Sequence, residues 1–250
     1  GPRGKLMIAV ERRLVPLFQR SFPDTLVGAH QTFKVDGKTV RGAPFVTDLQ
    51  SVDCWTPIAS PLRSLRRTVA AFPDRERFLA PDTGRIAHWR SVLQAAPPGR
   101  KVGLLWKSMK LDGARSRYFS PFADWEAVLR TPGVCFVSMQ YGDCSAEIAQ
   151  AKAEFGIDIW TPPGIDLKDD LDDVAALSCA LDLTVGFANA TSNIAAACGA
   201  ATWIISAPGA WPRLGTDRMP WYPQVRAFIP PAFGRWAEVM AEVAGALAAA

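Results

Sequence analysis

Cysteine, histidine and tyrosine are scarce in this 250-residue sequence, at five, two and three residues. The cysteines, Cys54, Cys135, Cys144, Cys179 and Cys198, are odd in number and never form a C-x-x-C pair, so zinc-ribbon and dithiol-oxidoreductase chemistry has no motif to stand on. Cys135, Cys179 and Cys198 sit in apolar or small-residue runs, where a reduced thiol behaves as a small buried hydrophobe and suits a reducing compartment. No G-x-S-x-G, Walker loop, G-x-G-x-x-G or H-E-x-x-H occurs, which weakens serine-hydrolase, P-loop, dinucleotide and metalloprotease readings. The longest run of small and apolar residues, Ile194 to Ile205, has 12 members, against the roughly 20 needed to cross a bilayer. No secretory leader is legible either, so a cytoplasmic protein without a membrane span is expected. The net charge of +4 is small, with Lys and Arg dispersed among Asp and Glu, and gives nucleic acid no electrostatic footprint. Internal repeats are missing, and the one low-complexity tract is the Ala-rich end.

What is present suits a globular α/β protein. Apolar residues make up 49% of the chain and charged residues 21%, enough for a full core within 250 residues. Short apolar runs alternate with helical patterns, which predicts a parallel sheet with crossover helices. In the first part the pattern predicts strands at 5–10, 25–29 and 44–49 and helices at 12–20 and 82–94. Prolines break DCWTPIASPLRSLRRTVAAFP (53–73) into turns. AAPPGR (95–100) reads as a linker, dividing the chain into an α/β unit over 1–97 and a second over 98–250. The second has strands expected at 101–106, 134–140, 158–160, 183–187 and 202–205, and helices at 121–129, 146–155, 170–181, 192–199 and 234–248. The chain opens on GPRGKLMIAV, without an initiator Met and with a strand pattern almost at once, so upstream sequence is expected and the first unit is expected to be incomplete.

Ligands of open parallel sheets sit beyond the carboxyl ends of the strands, which directs attention to the loops after Trp106, Gln140 and Phe187. The stretch DLTVGFANATSNIAAACGAATWII (182–205) runs from an apolar strand through Asn189, Thr191, Ser192 and Asn193 into a helix of Ala, Cys and Gly. Any of those four polar residues can cap the helix. The same turn can hold an anion, since first-turn amides and the helix dipole favour negative charge and Ala190, Ala195 and Ala196 leave the backbone open to a diphosphate. Both readings stand at this point. Lys107, directly at a strand end, is the candidate catalytic cation, placed to neutralise a phosphate leaving group. Arg117 shares its loop, whereas Lys110 and Arg115 read as solvated surface. Gln140 ends the next strand, where its amide is a candidate for a base or sugar edge. The aspartates of PGIDLKDDLDDVAAL suggest a metal, yet Asp166, Asp169 and Asp170 precede or open a helix whose dipole stabilises them, so no metal is assigned. His88 lies within a helix and reads as structural, and His30 ends a strand that could face the cleft.

The order VGLLWKS, RSRYFSPFADWEAVLRTPGVCFVSMQYG, DDLDDVAALSCALDLTVGFANATSNIAAACGAATWII, PWYPQVRAF and WAEVMAEVAGAL resembles the C-terminal half of bacterial glycosyltransferases linked to tetratricopeptide repeats. That group is similar to the heptosyltransferases and, more distantly, to the protein O-GlcNAc transferases. The resemblance covers residues 101–248, with a looser match over 5–95 through RRLVPLFQRSFP and FLAPD. It implies a GT-B architecture, two Rossmann-like domains facing a cleft. The second domain (98–250) would bind a nucleotide sugar and the first (1–97), truncated at its N-terminus, would present the acceptor. It also implies that Lys107 and Arg117 meet the diphosphate, that Gln140 lies near the nucleotide, and that Asn189, Thr191, Ser192 and Asn193 hold phosphate or donor sugar. Neither metal nor cofactor is implied, because protein cations and the helix end serve instead.

The chain departs from that pattern in two ways. Ala188 and Asn189 stand where heptosyltransferases commonly carry Asp-Thr, and Asn193 stands where the group usually has His. The usual location of the catalytic base would fall upstream of Gly1, so no residue of this chain is assigned as the base. Some repeat-linked enzymes of this kind modify flagellin, which implies a protein acceptor held by upstream repeats and, in that case, a CMP-activated nonulosonic acid as donor in place of a UDP- or ADP-sugar; the sequence does not choose among the three. Two other readings remain: a non-catalytic module that binds a nucleotide sugar or protein, and a scaffold whose Trp-rich segment from Trp203 to Trp236 packs against partner repeats.

Overall fold

The computed structural model describes residues 4–109 and 113–250. The chain divides into two compact units, Gly1–Pro73 and Asp74–Ala250. The division falls at Pro73 rather than at the AAPPGR segment, because the helix expected at 82–94 belongs with the second unit.

In the first unit, strand β1 (Met7–Val10) runs parallel to β2 (Leu26–Ala29), with Met7 opposite Leu26 and Val10 opposite Ala29. The crossover is a 3-10 turn at Arg12–Leu14 followed by α1 (Val15–Ser21). Glu11 caps the turn by accepting the Arg13 amide at 2.9 Å, and Pro16 sits in the first turn of α1, where no amide is needed. Gln19 ties α1 to β2, donating to the Thr25 carbonyl at 3.0 Å and accepting from the Val27 amide at 3.1 Å. An antiparallel hairpin follows, β3 (Gln31–Val35) and β4 (Lys38–Gly42). Its turn is Asp36-Gly37, both at positive φ (49° and 73°), the type I′ signature of a tight hairpin.

The strand expected at 44–49 does not form. Pro44 has no amide to give a ladder. The Phe45 ring lies against Gly28 so closely that a Cβ there would come within 2.2 Å of it. A 3-10 turn at Leu49–Ser51, the short helix α2 (Leu62–Leu65) and a second 3-10 turn at Val69–Ala71 complete the unit's regular elements among the described residues.

The second unit begins with α3 (Thr83–Leu93), capped by Asp82. Its sheet is five-stranded and wholly parallel, built from β5 (Arg100–Leu105), β6 (Val134–Ser138), β7 (Leu183–Phe187), β8 (Thr202–Ile205) and β9 (Arg226–Phe228) in the order β6-β5-β7-β8-β9. Its α-helices are α3, α4 (Glu126–Leu129), α5 (Ser145–Gln150, continued by a π turn at Ala151–Phe155), α6 (Leu171–Ala180), α7 (Ala190–Ala197) and α8 (Trp236–Ala249). The strand expected at 158–160 is reduced to a bridge between Val137 and Trp160.

Alternation along β5 sets the layers. Val102, Leu104 and Trp106 enter one core with Phe136, Val185 and Phe187. On that face α8 buries Trp236, Val239, Met240, Val243 and Leu247, the spacing of a single helical stripe. Gly186 lets β7 lie beside β5, since a Cβ there would stand 2.5 Å from the Leu105 carbonyl oxygen. α6 packs against α3 and α7, and an ionic latch joins α3 to α6. Arg85 reaches Asp170 at 2.7 Å and Asp173 at 3.2 Å, while the Trp89 indole donates to Asp173 at 2.9 Å. Burial pushes the Asp170 carboxyl up, but the Arg85 guanidinium and the amides of α6 outweigh it and hold the group below its usual range. Among the described residues no helix is long and apolar enough to cross a membrane.

Candidate functional site

From β5 the chain passes to β6 on one side and then crosses to β7 on the other. The crevice beyond the carboxyl ends of β5 and β7 is therefore the topological switch point, where an open parallel sheet leaves room for a ligand. Lys107 follows β5 and Asn189 follows β7, so two of the candidate groups flank that crevice.

The α7 end is an intact capping box. Asn189 accepts the Ser192 amide at 3.0 Å, and the Ser192 hydroxyl accepts the Asn189 amide at 3.0 Å. The same hydroxyl contacts the carbonyls of Phe187 and Asn189, each at 3.1 Å. Asn193 donates to the Asn189 carbonyl at 2.6 Å. Ser192 and Thr191 are buried, Asn193 is half-buried, and the Asn189 Nδ2 atom is enclosed without a hydrogen-bond partner. Ala195 and Ala196 are fully buried, so they leave no opening for a diphosphate. Protein fills that space: the Gln224 amide donates to the Ala196 carbonyl at 2.8 Å, and the Phe78 and Leu79 amides both donate to the Ala197 carbonyl at 3.0 Å. Ala190 alone of the three alanines faces solvent.

Gln140 is 2% exposed, and its side chain serves the backbone. Its Oε1 accepts the amides of Trp106 (3.2 Å) and Lys107 (3.0 Å), and its Nε2 donates to the Tyr141 carbonyl at 3.2 Å. It thus fixes the turn that presents Lys107. The Lys107 ammonium is paired with Glu147 on α5, both side chains being about one-fifth exposed (20% and 19%). Arg117 lies on the surface with its guanidinium 4.5 Å from the centroid of the Phe233 ring and 5.2 Å from that of Tyr118. Lys110 lies outside the described residues, and Arg115 is exposed.

Beside this crevice, at the carboxyl end of β6, lies a cleft of about 640 Å³, within the roughly 300–1,000 Å³ of small-molecule sites. Ser138, Gln140, Cys144, Thr161, Asp166 and Lys168 are among its walls. Asp143 at its rim is held below the usual carboxylate range, first by the Ser145 hydroxyl at 2.7 Å, then by the Ser145 amide at 3.0 Å. Asp166 accepts the amides of Lys168 and Asp169, and Asp170 caps α6, so these aspartates act as caps. Among the described residues no group of three or more His, Cys, Asp and Glu is gathered as a metal site. His88 is exposed on α3, its ring edge-on to Trp89, and His30 belongs to the first unit.

Glu147 and, apart from Asp166, the wall from Thr161 to Lys168 are not among the residues that the sequence marks. Glu147 is one acid on a short helix, and nothing in SAEIAQ marks it as the partner of a lysine forty positions earlier.

No family model matches the chain. It is 53% identical over 247 residues to Protein FlbA of Caulobacter vibrioides, covering 99% of this chain and 41% of that protein. The chain therefore spans less than half the length of this curated relative. Two solved structures are similar at low identity. One is ADP-heptose LPS heptosyltransferase II of E. coli, with a TM-score of 0.48, 13% identity, and coverage of 74% of this chain and 59% of that one. The other is a glycosyl transferase family 9 protein from Veillonella parvula, with a TM-score of 0.45, 11% identity, and coverage of 62% and 43%. Scores below one half carry no functional argument, and the α/β assignment rests on the parallel sheet itself.

Proposed function

We propose that Asp74–Ala250 is the donor-binding part of a metal-independent GT-B glycosyltransferase that moves a sugar from a nucleotide donor to a protein hydroxyl. The proposed acceptor is flagellin, held by tetratricopeptide repeats upstream in the full protein, and the proposed compartment is the cytoplasm. The observation that carries the reading is the switch-point crevice, with Lys107 on one flank, the N-terminus of α7 on the other, and the 640 Å³ cleft alongside. It is joined to the sequence resemblance over residues 101–248.

In such a transfer the bond from the anomeric carbon to the phosphate oxygen breaks as the acceptor oxygen bonds to that carbon, and the hydroxyl proton passes to a general base, a role to which no residue of this chain is assigned. Negative charge then grows on the phosphate. Lys107 takes up that charge by turning its ammonium from Glu147 to the phosphate, while the first turn of α7 adds its dipole. The cleft beyond β6 receives the nucleoside. Gln140 acts here by holding the Trp106–Lys107 turn, and Asn189 acts by capping α7 through its side-chain oxygen.

The test is a thermal-shift series with UDP, ADP, GDP, CMP and their sugar conjugates. A ligand at a hundred times its Kd stabilises by about 2.7 kcal/mol. One nucleotide class is expected to raise Tm, and Lys107→Ala to abolish that rise while its unliganded Tm shows the protein folded. No shift with any nucleotide overturns the reading.

The Lys107–Glu147 pair favours a second reading, a binding module without turnover, because the ammonium is already satisfied. Nucleotide binding that survives Lys107→Ala, with no sugar transfer by the full-length protein, would establish it.

A further inference from the structure

Two of the five cysteines approach each other. Cys179 is in the last turn of α6 and Cys198 is the C-cap of α7. The Cys179 sulfur lies 3.8 Å from the Cys198 carbonyl oxygen, so the two residues meet where the packed helices α6 and α7 end. No disulfide joins them in this structure. We propose that Cys179 and Cys198 are a redox modification site, closing to an intramolecular disulfide under a peroxide-class oxidant and reopening with thiol reductant.

The surroundings distinguish this pair from the other cysteines. Contact with the Cys198 thiol lowers the Cys179 pKa, and the Arg77 and Arg90 cations act the same way against burial. Arg77 is held close: its Cβ and Cδ lie 3.1 and 3.6 Å from where a Cβ on Gly199 would stand. Burial pushes the Cys135 and Cys144 thiols up instead. Cys54 is exposed and belongs to the first unit.

The chemistry balances with one equivalent of hydrogen peroxide. The Cys179 thiolate attacks a peroxide oxygen, the O–O bond breaks, and a sulfenic acid and hydroxide form. The Cys198 thiol then attacks that sulfur, the S–O bond breaks, and water leaves as the S–S bond forms. Two thiols are oxidised, one peroxide is reduced, and two waters result. The Cys179 sulfur already lies against the Cys198 backbone, so side-chain rotation at the two helix ends is the movement that a bond of about 2.05 Å requires. The product fastens the end of α6 to the end of α7 opposite the capping box.

The test needs no variant. Cys179 and Cys198 share one tryptic segment, residues 169–213, which contains no other cysteine. The full chain is exposed to equimolar hydrogen peroxide, denatured in iodoacetamide and digested. That segment is expected to resist alkylation, to be lighter by two hydrogens than its reduced form, and to regain both alkylation sites after reductant. Cys198→Ala, a small change in an Ala-rich helix, is expected to halt the reaction at a sulfenic acid on Cys179 that dimedone traps. Full alkylation of both cysteines after peroxide, or their conversion to sulfinic acids without a crosslink, overturns the proposal.

Discussion

Gly1–Pro73 and Asp74–Ala250 each contain parallel strands joined through helices, yet they bury their apolar residues very differently. In the first unit Val10, Leu17 and Val27 are buried, while Leu49, Trp55, Ile58 and Leu65 are 61–83% exposed. In the second, both faces of a five-stranded sheet are covered, and one continuous core runs from Val102 to Leu247. Apolar composition does not decide which segment forms a core. Layering does: a two-stranded sheet covered by one helix offers few enclosed positions, whereas five strands between helices enclose many.

Trp236→Ala should sharpen this contrast most. It removes a ring that is 3% exposed and packs edge-on to Phe187, at an expected cost of about 3–5 kcal/mol. Eight of the nine tryptophans lie in the second unit, so the shift is read by fluorescence in urea. Gly186→Ala comes next, at about 1–3 kcal/mol, because its new methyl group meets backbone of β5 rather than a side chain that can turn away. An unchanged urea midpoint would mean that β7 does not lie this close to β5.

Ser192→Ala removes one half of the capping box and should cost about 1 kcal/mol without changing the m-value. Asp170→Asn tests the latch by pH. Because the folded carboxyl titrates below its usual value, its stabilisation is present above the unfolded pKa near about 4 and is lost as pH falls through the folded value. The variant should therefore be less stable than the parent at pH 7, with the gap narrowing in acid. The smallest effect belongs to the first unit: Trp55→Ser, at a side chain 83% exposed, should stay within about 0.5 kcal/mol. A larger loss would show that the exposed apolar residues of that unit matter to its fold.

Legibility in the sequence followed the same division. Strands expected at 183–187 and 202–205 match β7 and β8, since each is a short apolar run with a clear stop on either side. β9 escaped notice because three residues between proline-rich turns carry no period. Asp36-Gly37 is the sequence signal of the β3–β4 hairpin, whereas the apolar run at 44–49 predicts a strand that Pro44 cannot pair. Lys107 and the turn at Asn189 could be located from the rule that ligands gather at carboxyl ends of strands. Their partners could not, because the buried amide of Gln140 and the approach of Glu147 depend on how β6 and α5 cross beside β5.

The stripe on α8 has a consequence for biosynthesis. Trp236, Val239, Met240, Val243 and Leu247 cover a face whose strands β5, β6 and β7 leave the ribosome earlier. Until α8 emerges, that face is bare on a nascent chain, and the parallel pairings around it are slow to form because they close long loops. Translation that stalls between β9 and α8 would thus leave a sticky intermediate, the natural point for a chaperone to hold this chain.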